Sequence, residues 1–151
     1  MFQWANSLND TSVFLLIQQR SNNDLRIFYN SGYRFTETIS NNVWNHIVVT
    51  RKSSNNTLSL YINGVFINSY IDNGNMSQRS SATSVYFGNG YNGYFDGNIN
   101  QPSVFNYEFS SSDISSLYNS GSPTDITTRN LDGWWQSVNA TWTGSNGSIP
   151  D

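Results

Sequence analysis

Short apolar and aromatic runs, separated by polar turns, recur along most of the chain. Leu25–Tyr29 and Leu58–Ile62 alternate apolar and polar side chains, and Ser12–Gln19 is an apolar run with polar ends. Alternation with a period of two is typical of strands that bury one face. Val43–Arg51, which has β-branched residues after Trp44, is predicted to be the strongest strand. Further strands are predicted over Tyr33–Thr38, Val65–Ile71 and Val85–Gly88, and Tyr94–Phe105 is predicted to hold a last strand that kinks near Gly97.

Polar turn residues join these runs. Arg20–Asp24 is a turn by composition and joins two strands into a hairpin. Asn63-Gly64 is the sharpest local signal, because both residues tolerate the positive φ that a two-residue type I′ hairpin requires. Asp72–Ser84 is polar and is predicted to be a loop, and Asn89–Gly93 a glycine-rich turn that carries a tyrosine.

One helix is predicted after the strands. Ser110 can cap its start, and Asp113, three residues later, can complete a capping box. Ile114 and Leu117 then lie on one face, and Gly121 ends the helix. About eight short strands with one helical connector predict an all-β architecture. We predict one domain over residues 1–122, followed by a tail or linker over 123–151 that either adds a strand or leads to another module.

Composition excludes several classes of protein. Only 11% of the residues are charged, whereas Asn and Ser make up about a third of the chain, so amides and hydroxyls keep it in solution. The net charge of −3 offers no basic surface for nucleic acid. Cysteine is absent, which excludes disulfides and thiolate metal sites. No apolar run approaches the length of a membrane helix, so membrane insertion is not expected.

The order of motifs in the middle of the chain resembles that of a known family. The residues that carry the resemblance are Val43–Thr50, Leu60–Val65, Tyr86–Gly88, Phe95–Ile99, Val104–Asn106 and Asp113–Gly121. In this order they resemble the concanavalin A-like lectin/glucanase superfamily, and within it the laminin-G-like and pentraxin-like branch. The resemblance covers roughly Val13 to Gly121. It implies two antiparallel sheets packed face to face as a jelly-roll sandwich with one short helix.

The resemblance also carries functional expectations and shows departures. It implies binding to carbohydrate or to protein surfaces, in some members with calcium, by modules of extracellular and phage proteins. A strand that usually precedes the one resembling Phe2-Gln3-Trp4 is missing, and this would leave an unpaired sheet edge. An acidic pair is replaced by Asn100-Gln101, which puts any carboxylate-dependent feature there in doubt.

Catalysis is not expected. A glycosidase of this fold needs clustered carboxylates on one strand, yet the chain has only two glutamates, Glu37 and Glu108, each without an acid two or four residues away. His46 is the only histidine. It has two interpretations, a general base or metal ligand, and a packing residue on the same strand face as Trp44. The packing interpretation is favoured, because a lone histidine lacks the partners of a triad.

Aromatic residues in turns and in the tail are the candidate contact residues. Tyr91 and Tyr94, with Asn89 and Asn92, are the candidate carbohydrate site, because rings stack on sugars and amides bind their hydroxyls. The alternative is that the tyrosines fold over the rim of the sandwich. In the tail, Trp134, Trp135 and Trp142 are candidate interface residues, and packing against a neighbouring domain or subunit is favoured over stacking on sugars.

Calcium is the one cofactor that the sequence leaves open. Asp96 and Asp72 offer carboxylates in oxygen-rich loops, which hard cations prefer. The favoured alternative is that each aspartate bonds its own turn backbone. No other cofactor is expected.

Two functional hypotheses follow. In the first, the domain is a lectin-like recognition or adhesion module that binds glycans through rim loops on a virion or extracellular surface. In the second, it is an assembly module of a phage virion, such as a capsid decoration or tail-fibre domain, with protein partners. A homo-oligomer is compatible with either. A glycan array and a measurement of the oligomeric state distinguish them.

Overall fold

A computed structural model describes most of the first 122 residues and part of the tail. The described residues are 1–5, 13–20, 22–30, 32–73, 84–90, 93–122, 124, 126 and 131–134, with backbone alone for 90 and 131–134. The strands are β1 (Phe2–Ala5), β2 (Val13–Gln19), β3 (Asp24–Tyr29), β4 (Gly32–Thr38), β5 (Ile47–Lys52), β6 (Thr57–Ile62), β7 (Val65–Ile71), β8 (Ser84–Phe87), β9 (Asn89–Gly90), β10 (Gly93–Tyr94), β11 (Ser103–Phe105) and β12 (Leu131–Trp134). The helix α1 spans Ser111–Tyr118 and continues into a 3₁₀ turn, Asn119–Gly121.

The larger sheet has five antiparallel strands in the order β4-β3-β2-β1-β8. β1 lies between β2 and β8, with Phe2 opposite both Ile17 and Phe87. The unpaired edge expected from the missing family strand is therefore not at β1. Where β1 meets β2 the register shifts, because Trp4 lies opposite Leu15 and Ala5 opposite Val13, so that Phe14 is an extra residue.

The smaller sheet has three antiparallel strands in the order β5-β6-β7. Asn63 and Gly64 join β6 to β7 with φ of 51° and 76°, as the type I′ prediction requires. β5 begins at Ile47, so the predicted strand Val43–Arg51 was wrong in its first four residues. Asn42 has a φ of 58° and starts a turn that delays the strand.

The two sheets enclose the main core. Its buried members come from β2, β3, β4 and β6 and from the residue after β4: Phe14, Leu25, Ile27, Tyr29, Phe35, Ile39, Leu58 and Leu60. Inward-facing residues of β5 and β7 pack against them. Because these positions alternate with more exposed ones along β3, burial follows the predicted period of two. The prediction of an all-β sandwich of two antiparallel sheets is confirmed.

A second core lies on the other face of the three-stranded sheet. There Tyr61 of β6 packs with Phe109, with Ile114 and Leu117 of α1, and with Ile126. The capping box forms as predicted, since Ser110 accepts from the Asp113 N–H (3.1 Å) and donates its own N–H to the Asp113 carboxylate (3.2 Å). Helix α1 therefore covers a sheet face that would otherwise be open to water.

The region between β10 and the helix has less regular structure than predicted. The strand expected in Tyr94–Phe105 is confined to Ser103–Phe105, and residues 95–102 have no helix or strand. β11 pairs antiparallel with β12 of the tail, where Val104 lies opposite Gly133. The tail thus contributes a strand.

Asparagine is abundant because the turns use it. Most of the described non-glycine residues with positive φ are asparagines: Asn23, Asn30, Asn42, Asn56, Asn63 and Asn119. Asn adopts the left-handed conformation at lower cost than other side chains, apart from glycine. The tight connections of the sandwich therefore use part of the chain's asparagine.

Candidate functional site

Several connections meet at one end of the sandwich, which we call the loop end. It comprises residues 20, 22–23, 39–46, 63–64, 88–90 and 93–96. Within the larger sheet, Gln19 lies opposite Leu25 and Asp24 opposite Thr38, while Phe87 reaches the same end through Phe2 and Ile17. The antiparallel register therefore places the β2–β3, β4–β5 and β8–β9 connections at the same end of the sandwich, with β4 and β8 at opposite edges of the larger sheet.

Side-chain amides link the first two connections. Gln19 Nε2 donates to Asn41 Oδ1 at 2.7 Å, and Asn41 Nδ2 donates to Asn23 Oδ1. The backbone N–H of Ile39 also donates to the Asn23 carbonyl at 3.0 Å. These bonds attach the start of the β4–β5 loop to the β2–β3 connection. They join neutral groups, and the side-chain bonds are exposed to solvent.

The β4–β5 loop is also tied to the β6–β7 turn. The backbone N–H of His46 donates to Asn63 Oδ1 (2.8 Å), and the Asn63 N–H returns a bond to the His46 carbonyl (2.8 Å). Within the loop, Asn45 Nδ2 donates to the carbonyls of Ser40 (2.8 Å) and Val43 (3.2 Å). The loop is therefore held at both ends and across its middle.

Trp44 lies on this tied loop and faces solvent. Its side chain is 66% exposed and its neighbour Val43 is also exposed. The prediction that Trp44 lies on a face of the strand Val43–Arg51 was wrong, because the residue precedes β5 and does not share the alternation of the strand. Tyr61 is buried, in the second core. Trp44 is thus an exposed ring that sequence reasoning missed. The Asn-Asn pair before it, a turn signal, could have revealed it.

The predicted carbohydrate residues lie partly at the same end. Tyr94 of β10 is 75% exposed, and its backbone pairs with that of Asn89 of β9, which is half-buried. The Phe95 N–H donates to the Gly88 carbonyl at 2.8 Å and closes the β9–β10 hairpin. Tyr91 and Asn92 lie outside the described residues. The structure therefore places two of the four predicted residues at the loop end.

His46 supports the loop end from beneath. Its ring stacks on Tyr118 of α1, with centroids 5.9 Å apart and planes 15° apart. Burial lowers the pKa of His46, so the neutral imidazole is the favoured form. Among the described residues, its Nδ1 is buried without a hydrogen-bond partner. His46 lies before β5 and not on a strand face with Trp44, but it packs against the protein.

The opposite end of the sandwich holds a buried ion pair. Arg51 of β5 contacts Asp72 through Nε (3.1 Å to Oδ2) and through Nη2 (3.4 Å to Oδ1). Arg51 Nη2 also donates to Asn56 Oδ1 at 2.8 Å. The Asp72 side chain is only 4% exposed. Burial, opposed by Arg51 and assisted by Asp72, raises the pKa of the neighbouring Tyr29 to about 12.

This arrangement bears on the two aspartates that were considered for calcium. Asp72 is bound to Arg51, so a cation there would have to displace a guanidinium. Asp96 is exposed and lies at the loop end, away from Asp72. Within the described residues, no three His, Cys, Asp or Glu side chains form a group that could hold a metal ion. Calcium binding stays a prediction, and no cluster of ligands in the described part of the chain supports it.

The tryptophans of the tail are described only in part. The backbone of Trp134 pairs with Ser103 in the β11–β12 ladder. Trp135 and Trp142 lie outside the described residues. Their role as interface residues stays a prediction.

The comparison with family models decides the family of this chain. A laminin-G-type model of the concanavalin A-like lectin/glucanases superfamily matches residues 2–115. The chain belongs to this superfamily. The matched range of this concanavalin A-like domain includes the five-stranded sheet, the three-stranded sheet and most of α1. The resemblance drawn from the motifs is confirmed.

Other comparisons add less. No curated protein matches this concanavalin A-like domain. Among solved structures, it is similar to residues 221–444 of an S-layer domain-containing protein from Clostridium thermocellum, with 22% identity and a TM-score of 0.44. The match covers 70% of this chain and 61% of that one, so the chain spans about three fifths of the solved structure. No helix in the described part of this concanavalin A-like domain is long and apolar enough to cross a membrane.

Proposed function

We propose that this domain is a non-catalytic recognition module that binds glycans at its loop end. The observation that carries the proposal is the exposed Trp44 on a loop fixed by hydrogen bonds. An indole ring offers a flat apolar face for a pyranose, and a loop that is already ordered loses little entropy on binding.

The groups around Trp44 suit a neutral, hydroxyl-rich ligand. Asn41, Asn42 and Asn45 flank the ring in sequence, and their amides can both donate and accept hydrogen bonds. Tyr94 adds a second exposed ring at the same end. Few charged side chains lie there, so recognition would depend on stacking and on amide hydrogen bonds.

The distribution of acids supports a role without catalysis. The two glutamates of the chain lie on different elements, Glu37 on β4 and Glu108 after β11. Paired acid and nucleophile roles require two carboxyl groups on either side of one bond, at most about 10 Å apart. Glu37 lies one position from Asp24 in the β3–β4 ladder, but Asp24 pairs with Thr38 and Glu37 with Leu25, so the two acids point to opposite faces of the sheet. Asp24 instead lies 3.8 Å from Arg26.

The setting that fits this function is an extracellular or virion surface. A charge-poor exterior rich in Asn and Ser suits exposure to glycans without attraction to polyanions. Calcium is not required by the proposed contacts, because stacking and amide bonds involve no cation. An assembly role in a virion is the alternative that the experiment below tests.

A glycan array with and without calcium tests the proposal. We expect binding to neutral glycans that is unchanged by a chelator. Trp44→Ala should weaken binding tenfold or more, which corresponds to about 1.4 kcal/mol, and Tyr94→Ala should weaken it less. Ile71→Ala is the matched control, because Ile71 is equally exposed but lies at the other end of β7. Absence of any glycan binding, or equal losses in Trp44→Ala and Ile71→Ala, would refute the proposal.

A further inference from the structure

Two asparagines of the loop end are held through opposite atoms of their side-chain amides. Asn45 Nδ2 donates to the carbonyls of Ser40 (2.8 Å) and Val43 (3.2 Å), so its nitrogen side faces the loop. Asn63 Oδ1 accepts the backbone N–H of His46 at 2.8 Å, so its oxygen side faces the loop. Because a carbonyl only accepts and an N–H only donates, neither amide can be reversed without the loss of these bonds.

The other atom of each amide is open to a ligand. Both residues are half-buried. Among the described residues, Asn45 Oδ1 and Asn63 Nδ2 have no hydrogen-bond partner, and neither atom is buried, so both reach solvent. The His46 nitrogen that Asn63 binds belongs to the peptide bond that follows Asn45, so the two amides flank one peptide bond. The loop end therefore presents one fixed acceptor and one fixed donor close together.

Apolar side chains precede this pair in the loop. Trp44 and Val43 are both exposed, and the Val43 carbonyl is one of the groups that the Asn45 amide binds. The fixed acceptor thus belongs to a loop that also offers an aromatic and an aliphatic surface to a ligand.

The same loops carry no formal charge. Residues 39–46 and 63–64 include no Asp, Glu, Lys or Arg. Burial lowers the pKa of His46, which keeps its imidazole neutral. A charged group of a ligand would lose hydration here without gaining an opposite charge. A neutral ligand group is therefore favoured.

We propose that the loop end binds glycans through an acetamido group, so that its ligands contain N-acetylhexosamine. A secondary amide carries one donor and one acceptor on separate atoms of a rigid plane, and these match Asn45 Oδ1 and Asn63 Nδ2. Its methyl group suits the exposed Val43, while the sugar ring stacks on Trp44. This inference rests on the proposed function, because it names the sugar class for the same site.

Other sugar substituents match these groups less well. A hydroxyl donates and accepts through a single oxygen, so it spans the two asparagines less well than an amide does, and it has no methyl group for Val43. An unacetylated amino sugar is a cation and a uronic acid is an anion, and the described loops offer neither of them a counter-charge.

Three tetrasaccharides with the same β-1,4-linked backbone isolate the contribution of the acetamido group. Chitotetraose carries acetamido groups, cellotetraose carries hydroxyls in their place, and fully deacetylated chitotetraose carries ammonium groups. Isothermal titration calorimetry measures the three affinities. We expect chitotetraose to bind about tenfold more tightly than either of the others, because only it pairs with both asparagines.

Asn63→Asp changes the side of the amide that faces the ligand. The carboxylate still accepts the His46 N–H, and Asp-Gly forms the same type I′ turn, but the donor is lost. The affinity for chitotetraose should fall about tenfold, and that for cellotetraose should change little. Asn68→Asp is the matched control, because Asn68 Oδ1 also accepts a backbone N–H (Ser69, 2.8 Å) but lies in the middle of β7. It should change neither affinity.

Asn45→Asp changes the side of the amide that faces the loop. The oxygen offered to the ligand remains, but the donor to the Ser40 and Val43 carbonyls is lost. Affinity for both neutral tetrasaccharides should therefore fall together. Amide hydrogen exchange of residues 40–46, measured without any sugar, should become faster in Asn45→Asp and stay unchanged in Asn63→Asp.

The outcomes separate this inference from the proposed function. Equal affinities for chitotetraose and cellotetraose, or an equal loss of both in Asn63→Asp, would overturn the inference and leave glycan binding at the loop end standing. Binding only to glycans that lack an acetamido group would overturn it as well. Absence of binding to every glycan would refute the proposed function, and this inference with it.

Discussion

The two ends of the sandwich use charge in opposite ways. One end buries Arg51 against Asp72 and Asn56. The loop end exposes Trp44 and Tyr94 and binds its loops together with neutral amides. A buried charge must be paired, so the first end is fixed to one arrangement. Neutral amides at a solvated end hold the loops together and still have free lone pairs that can accept hydrogen bonds from a ligand. The chain therefore uses an ion pair to hold one end together and leaves the described residues of the loop end, where we propose that glycans bind, without one.

Breaking the ion pair should have the largest effect on stability. Asp72→Ala leaves the Arg51 guanidinium largely buried and without its carboxylate, so the free energy of unfolding should fall by about 3–5 kcal/mol. Urea denaturation followed by tryptophan fluorescence measures the loss. The double variant Arg51→Met, Asp72→Leu should recover most of it, because apolar replacement of both partners removes the unpaired charge. A loss below about 1 kcal/mol in the single variant would show that water solvates this end.

Protonation of His46 should have an intermediate effect, at the loop end. Because the folded protein lowers the pKa of this histidine, the unfolded chain binds the proton more readily. The stabilisation is fully present above the unfolded pKa of about 6.5 and is lost as the pH falls towards the lower folded value. Unfolding free energies from about pH 7.5 to about pH 5 measure this loss.

His46→Gln is the control for that titration. His46 is the only histidine, so the difference between the native chain and the variant isolates one group. The difference should change with pH below about 6.5 and be flat above it. A difference that does not depend on pH would mean that the contact with Tyr118 tolerates the imidazolium.

Removal of Trp44 should have the smallest effect on stability. An exposed side chain outside the core contributes little, so Trp44→Ala should change the free energy of unfolding by no more than about 0.5 kcal/mol. The same denaturation assay measures it. A loss above about 1.5 kcal/mol would mean that the indole supports the loop end, and would remove the contrast with Asp72.

The strands and turns could be predicted because their signals are local. Alternation in Leu25–Tyr29 fixed the burial of β3, Asn63-Gly64 fixed a hairpin, and Ser110 with Asp113 fixed the start of α1. The prediction that the strand begins before Ile47 was wrong, because residues of high β-propensity occur both in the turn and in the strand that follows it. Propensity does not show which of these residues are exposed to solvent.

Candidate site residues were harder to predict, because local patterns do not show which residues are exposed or which distant residues they contact. Asp72 looks like an oxygen-rich loop residue in the sequence, and only the fold brings it to Arg51, 21 positions away. Trp44 looks like a core residue, and only the delayed start of β5 exposes it. For Tyr94 the sequence left exposure and packing over the rim as alternatives, and the structure shows its side chain 75% exposed.

The sequence by itself determined the class of this protein: a charge-poor, cysteine-free sandwich whose strands alternate, whose turns are built on asparagine, and whose helix is capped by its own residues. Only the tertiary structure decided which loops share an end and which acid is paired. The physical reason is range. Alternation and turn conformation act over a few residues, whereas strand register and sheet order join residues far apart in the chain, and no local pattern encodes them.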